Sequence, residues 1–75
     1  MQRWRVIVEG NWQGKQFMRT AIVGAEDAVE AGKVACAESE LDGDQFTKYV
    51  EVAPENSEAK RAGLLSISGR VFFDH

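Results

Sequence analysis

Few side chains in this chain are equipped for chemistry. The one cysteine is Cys36, the one histidine is His75, and the carboxylates include Glu26 with Glu30, Glu38 with Asp42, and the run Asp42-Gly43-Asp44. A thiol becomes a nucleophile only beside a base or in a positive field, and Cys36 falls among small residues with no base predictable next to it. His75 is the C-terminal residue, where chain ends fray. The Asp-Gly-Asp run opens like a calcium loop, yet the spaced third acid, the downstream glycine and the closing glutamate are missing, so it reads as a helix cap. Paired acids at helical spacing read as a solvated surface. Gly10, Gly14 and Gly24 are spaced as turn residues rather than as a phosphate cradle at the entry to a crossover helix. The expectation is a protein that is not an enzyme and that uses neither a cofactor nor a metal.

Charge is divided unevenly along the chain. Between Gly24 and Asp44 there are seven acids (Glu26, Asp27, Glu30, Glu38, Glu40, Asp42, Asp44) and one base, Lys33, whereas the remainder holds eight bases and five acids. One side of the folded chain is therefore suited to a basic partner and another to phosphate or carboxylate. At 75 residues, 44% hydrophobic and 28% charged, the composition is that of one globular domain spanning 1–75. A core of this size rarely supplies more than about 3 to 5 kcal/mol. A single cysteine forms no intrachain disulfide and no His/Cys cluster could hold zinc, which leaves a dimer as the way to add stability. The short apolar run Val6-Ile7-Val8 is far from a signal or membrane segment, and the unpaired thiol suits a reducing compartment, so the expected location is cytoplasmic.

The elements follow from periodicity. Trp4, Val6 and Val8 alternate with Arg3, Arg5, Ile7 and Glu9 in a first strand, and Gly10, Asn11 and Gly14 supply a turn into a second at Lys15 to Val23. Faces in the second strand stay ambiguous, because Phe17, Ala21 and Val23 share one parity while Met18 and Ile22 share the other. A helix begins near Ala25 with Glu26 and Asp27 in its first turn, carries the small stripe Ala25, Ala28, Val29, Gly32, Ala35, Cys36 and Ser39, and ends at Gly43 in a left-handed cap. A third strand covers Gln45 to Val52, with Phe46, Val50 and Val52 on one face and Thr47, Tyr49 and Glu51 on the other. Ala53 to Gly63 reads as a polar loop or a loop with one helical turn. Leu64 to Phe73 forms the fourth strand, with Leu65, Ile67, Val71 and Phe73 inward and Gly69 a candidate bulge. The fold class is α+β, a four-stranded mostly antiparallel sheet with one helix on one face, in the order β-β-α-β-β.

One helix covers one face, so the other is left to solvent or to a partner. That open face is expected to carry Arg3, Arg5, Tyr49, Ser66, Ser68, Arg70 and Phe72, and Arg19 as well if Met18 and Ile22 turn inward. Arginines among aromatics on a sheet suit a single-stranded nucleic acid, although a pI near 5 favours a protein partner. Trp12 at the hairpin tip either stands out as an anchor or folds back. Glu26, Glu30, Glu38 and Asp42 on the helix either imitate a phosphate row toward a basic surface or are simply solvated.

The hairpin Trp4-Arg5-Val6-Ile7-Val8-Glu9-Gly10 to Phe17-Met18-Arg19-Thr20, then Ala25-Glu26-Asp27-Ala28-Val29-Glu30-Ala31 and two further strands, resembles the build of small phage-encoded proteins, including anti-CRISPR inhibitors. The resemblance spans most of the chain in size and element order and carries over no functional residue. It implies non-catalytic action, by covering the nucleic-acid or partner surface of a defence complex in the host cytoplasm. The combined expectation is a stoichiometric inhibitor or adaptor of a nucleic-acid-handling protein complex, with a sheet-face binder of single-stranded nucleic acid as the alternative. The candidate partner-binding residues are Arg3, Arg5, Trp12, Arg19, Tyr49, Arg70 and Phe72, with Glu26, Glu30, Glu38 and Asp42 on the helix.

Overall fold

The computed structural model describes residues 1–73; the reading of His75 falls outside them. The chain forms β1 (Gln2–Trp12), β2 (Lys15–Ala25), α1 (Ala28–Leu41), β3 (Gln45–Glu58), β4 (Gly63–Ile67) and β5 (Val71–Phe72). The sheet runs β3-β1-β2-β4, with β5 continuing beside β2, and all pairings are antiparallel. β2 and β3 run in the same direction with β1 between them, and α1 is the crossover that such an arrangement needs. The fold is α+β, with α1 on one face of an open antiparallel sheet.

The hairpin pairs without a break from Gln2 with Ala25 to Trp12 with Lys15. Only Gln13 and Gly14 remain for the loop, at φ 51° and 79°, which matches a two-residue turn whose twist suits the strands. Gly10 and Asn11 are thus strand residues and not part of the turn. Gly10 lets β3 come close, since a Cβ there would lie 2.5 Å from the Gln45 carbonyl oxygen.

Asp27 caps α1 by accepting a 2.9 Å hydrogen bond from the Glu30 backbone N–H, and the Glu30 carboxylate accepts from the N–H of Glu26. The helix therefore starts three residues later than periodicity suggested, and Ala25 closes β2. At the other end Gly43 takes φ 88° and its N–H donates to the Glu40 carbonyl, the left-handed termination expected. The residues that α1 buries are Ala31, Gly32, Ala35 and Ser39. These small side chains bring it close to Val6, Val8, Ala21, Val23 and Ala25, with Trp4, Val34, Phe46, Val52, Leu64 and Ile67 around the margin. The stripe is as small as expected but rotated, so Val29 is 68% exposed.

β3 departs most from expectation. It continues six residues past Val52, through a segment whose polar composition reads as loop, because it is an edge strand that buries little. Pro54 is tolerated there, an edge having one side free of ladder bonds. Register shifts between the partners of Ile7 and Val8 and of Glu9 and Gly10 skip Val50 and Thr47. Those bulges turn Tyr49 to the helix side with Phe46 and Val52, and leave Val50 49% exposed. A further shift at Leu65 puts Leu64 and Ile67 on the helix side, and Ser68 to Arg70 interrupt the expected fourth strand, where Phe72 pairs with Phe17 and Val71 with Met18.

The link from β3 to β4 crosses beneath the hairpin's open end, where the N–H of Ala59 donates to the Met1 carbonyl. A Cβ on Gly24 would fall on the Arg61 carbonyl oxygen and within 2.7 Å of the Ala59 Cβ. Gly24→Ala should cost about 1 to 3 kcal/mol by overpacking, seen as a lower urea midpoint. Gly69→Ala, where a Cβ meets nothing within 4 Å, should leave the midpoint nearly unchanged.

Candidate functional site

Three surfaces carry the chain's charge, and the register sorts them. Opposite Val8 stands Arg19, so β2 resolves its ambiguity with Phe17, Arg19, Ala21 and Val23 toward α1 and Met18, Thr20 and Ile22 toward the open face. Arg19 is 6% exposed at its side chain. Its guanidinium bonds Asp44 at 2.8 Å, Asp42 at 3.0 Å and the Ser68 carbonyl at 3.1 Å. Arg70 reaches the other Asp44 oxygen at 2.6 Å and the Asp42 carbonyl at 2.9 Å, and the Ser39 hydroxyl donates to Asp44 at 2.6 Å. Arg70 also lies over the Trp12 ring, 4.5 Å from its centroid, and Trp12 and Phe17 flank Phe72. Arg70, Phe72 and Tyr49 are therefore on the helix side, and their expected place on the open face is corrected; Arg19, expected there only if Met18 and Ile22 turned inward, is on the helix side because they do not. Trp12 folds back under Arg70 and is half-buried rather than a free anchor.

Asp44 has no exposed side-chain surface. Burial alone would raise its pKa, but the bonds from Ser39, Arg70 and Arg19, with the charge of Arg70, bring it below the usual carboxylate range. Asp42, half exposed at the helix end, serves the same cluster. The cluster was missed because Asp42-Gly43-Asp44 explains itself as a cap; the available signal was an arginine, Arg19, at an apolar parity of β2.

On the open face Arg5 pairs with Glu51 and Glu55 at 3.3 Å, Arg3 approaches Glu55 at 3.7 Å, and Lys48 meets Glu9 at 3.4 Å. The bond and charge of Glu51, and the charge of Glu55, hold the Arg5 guanidinium above its ordinary pKa against a smaller effect of burial. Three cations and three anions form a neutral ladder along β1 and β3. Beside it lie Ile7, Met18 and Ile22, all half-buried.

The third surface is the flank where α1 meets β3. A groove of about 400 Å³ is lined by Ala28, Val29, Gly32, Lys33, Tyr49 and Val52. Gly32 forms its floor, for a Cβ there would come within 3.0 Å of the Tyr49 ring. Val29 and Tyr49 remain exposed here, and Leu41 is 79% exposed at the helix end. Glu26, Asp27, Glu30 and Glu40 are exposed and Glu38 is half-buried on the same helix, and none has a cation within 4.0 Å among the described residues. The Cys36 thiol donates to Glu40 at 3.4 Å, and burial first, then Glu40, pushes its pKa up, which keeps it protonated. Burial also raises the Tyr49 phenol, with Cys36 and Glu40 adding to it.

No protein family, curated protein or solved structure matches the chain. No helix among the described residues is long and apolar enough to cross a membrane.

Asp44→Asn should cost roughly 3 to 5 kcal/mol, because it leaves two guanidinium groups facing a neutral amide. The folded pKa of Asp44 lies below the unfolded value of about 3.9, so its stabilisation is complete above that pH and is lost as pH falls through the folded value. Arg70→Met removes one of the groups that lower that pKa. It should make acid unfolding begin at a higher pH than in the wild type, followed by circular dichroism.

Proposed function

We propose that the protein is a small non-enzymatic binding protein that captures a basic surface on a nucleic-acid-handling protein complex, as a stoichiometric inhibitor or adaptor. The observation that carries this reading is the flank of α1 and β3, where an apolar groove with exposed Val29 and Tyr49 adjoins carboxylates that have no cation partner among the described residues. Apolar contact supplies affinity at such a surface, and unpaired acids supply steering toward Lys and Arg. Anti-CRISPR-type counter-defence by a phage protein in the host cytoplasm fits this mode, since a carboxylate row can occupy a channel built for phosphates.

The single-strand alternative requires stacking aromatics and free cations on one face. Arg3 and Arg5 are in ion pairs with glutamates, while Tyr49 and Phe72 sit on the opposite side of the sheet. A short single strand should therefore give no mobility shift at low salt.

Affinity capture from the host cell followed by titration of the captured complex tests the proposal. Glu26→Lys and Glu30→Lys should each weaken binding about ten-fold, on the order of 1.4 kcal/mol, with the effect shrinking at high salt. Equal affinity for the variants and the wild type would refute it.

A further inference from the structure

We infer that the helix-free sheet face is the interface of a homodimer, two copies meeting face to face with antiparallel strands about a two-fold axis along the row of Ile7 and Thr20. The groove of α1 and β3 lies on the other side of the sheet and stays open in this dimer, so the inference does not rest on the proposed function.

The argument is the pattern of that face. Three successive rows cross β1 and β2: Arg5 beside Ile22, Ile7 beside Thr20, and Glu9 beside Met18. Rotation about the middle row lays the first row of one copy on the third row of the other. Arg5 then meets Glu9 of the second copy, Ile22 meets Met18, and the middle row meets itself. Within these three rows each charge faces its opposite and each large apolar group faces another, while Arg3, one row further out, falls opposite Asn11 of the second copy. A face shaped for an unrelated partner has no reason to be complementary to itself, whereas a two-fold interface must be. Glu51 approaches its own copy near the axis but keeps Arg5 as its counter-ion.

Extent and alternatives agree with this. Three strands about 4.8 Å apart and some eight residues long, with the short β4 beside them and the Ala59–Arg61 link over the Gly24 end, cover on the order of 400 Å² per copy, so two copies together bury roughly 800 Å², the size of a weak and reversible interface. Edge pairing is a poorer route to association. β3 is broken by bulges at Thr47 and Val50 and carries Pro54, and the opposite edge is split into two short strands.

Sedimentation equilibrium of the full chain at micromolar concentration tests the inference. The wild type should show twice the 8.3 kDa chain mass. Met18→Asp and Ile22→Lys should each sediment as one chain, at least ten-fold weakened in association, with the circular dichroism of the wild type. Their equimolar mixture should regain the two-chain mass, because position 18 of one copy lies on position 22 of the other. Thr20→Arg, on the axis and away from the core, is a second variant expected to be monomeric should either of the first two not fold. A monomeric wild type, folded variants that remain dimeric, or a mixture of folded variants that stays monomeric would each overturn the inference.

Discussion

The Asp44 side chain is fully buried, and it holds together parts of the chain that are far apart in sequence. Its carboxylate takes Arg19 from the middle of β2, Arg70 from the link between β4 and β5, and Ser39 from the last turn of α1. A buried carboxylate left without partners would be costly, so the end of the helix, the hairpin and the last strands must all be in place for the charge to be tolerated. The position of α1 over the sheet follows from this at one end and from the contact of Gly32 with Tyr49 at the other. Trp12, Phe17 and Phe72 close over the Arg70 side of the cluster.

The cluster also decides where the uneven charge of the sequence ends up. Of the seven acids between Gly24 and Asp44, it buries Asp44 and engages the half-exposed Asp42, together with two arginines that would otherwise be surface cations. What remains outside differs between the two sides. Along β1 and β3 the sheet face is neutral because Arg3, Arg5 and Lys48 meet Glu55, Glu51 and Glu9, while Lys60 and Arg61 on the link beside Arg3 stay exposed. The helix keeps carboxylates without counter-ions among the described residues. The divided charge is thus real, but it opposes an acidic side to one that is neutral along its strands and keeps exposed cations only at the Lys60–Arg61 end.

The parts of this structure legible in the sequence are those fixed by local chemistry. Alternation from Trp4 to Val8, Gly14 in the turn, the small helix stripe and Gly43 at the cap each depend on neighbours within a few residues, and the α+β order follows from them. The open face was misassigned because its membership depends on parity, and parity depends on register. Phe17, Ala21 and Val23 competed with Met18 and Ile22, and only the burial of Arg19 against Asp44 settles the matter. On β3 two bulges reverse the parity of Tyr49, and nothing in Thr47 or Val50 announces a bulge, since it arises from fitting β3 along β1. The polar extension to Glu58 is a strand because β1 offers partners for it, a tertiary cause that periodicity does not record.

This difference bears on how the two surfaces can be used together. A neutral sheet face with half-buried Ile7, Met18 and Ile22 has little long-range attraction for anything charged, and its value lies in short-range fit. The acidic helix has the reverse character, acting at a distance of about 8 to 10 Å through physiological salt and offering apolar contact only in the groove beside it. If the first surface joins two copies, the second is displayed twice, on opposite outer sides of the pair. Facing opposite ways, the two flanks would each meet a separate partner surface, so a pair of these 75-residue chains would bridge two partners rather than grip one more tightly. The small core and the bare sheet face are in this view connected: a protein too small to bury both faces of its sheet gains, by pairing, both the stability that it lacks and a second copy of its binding flank.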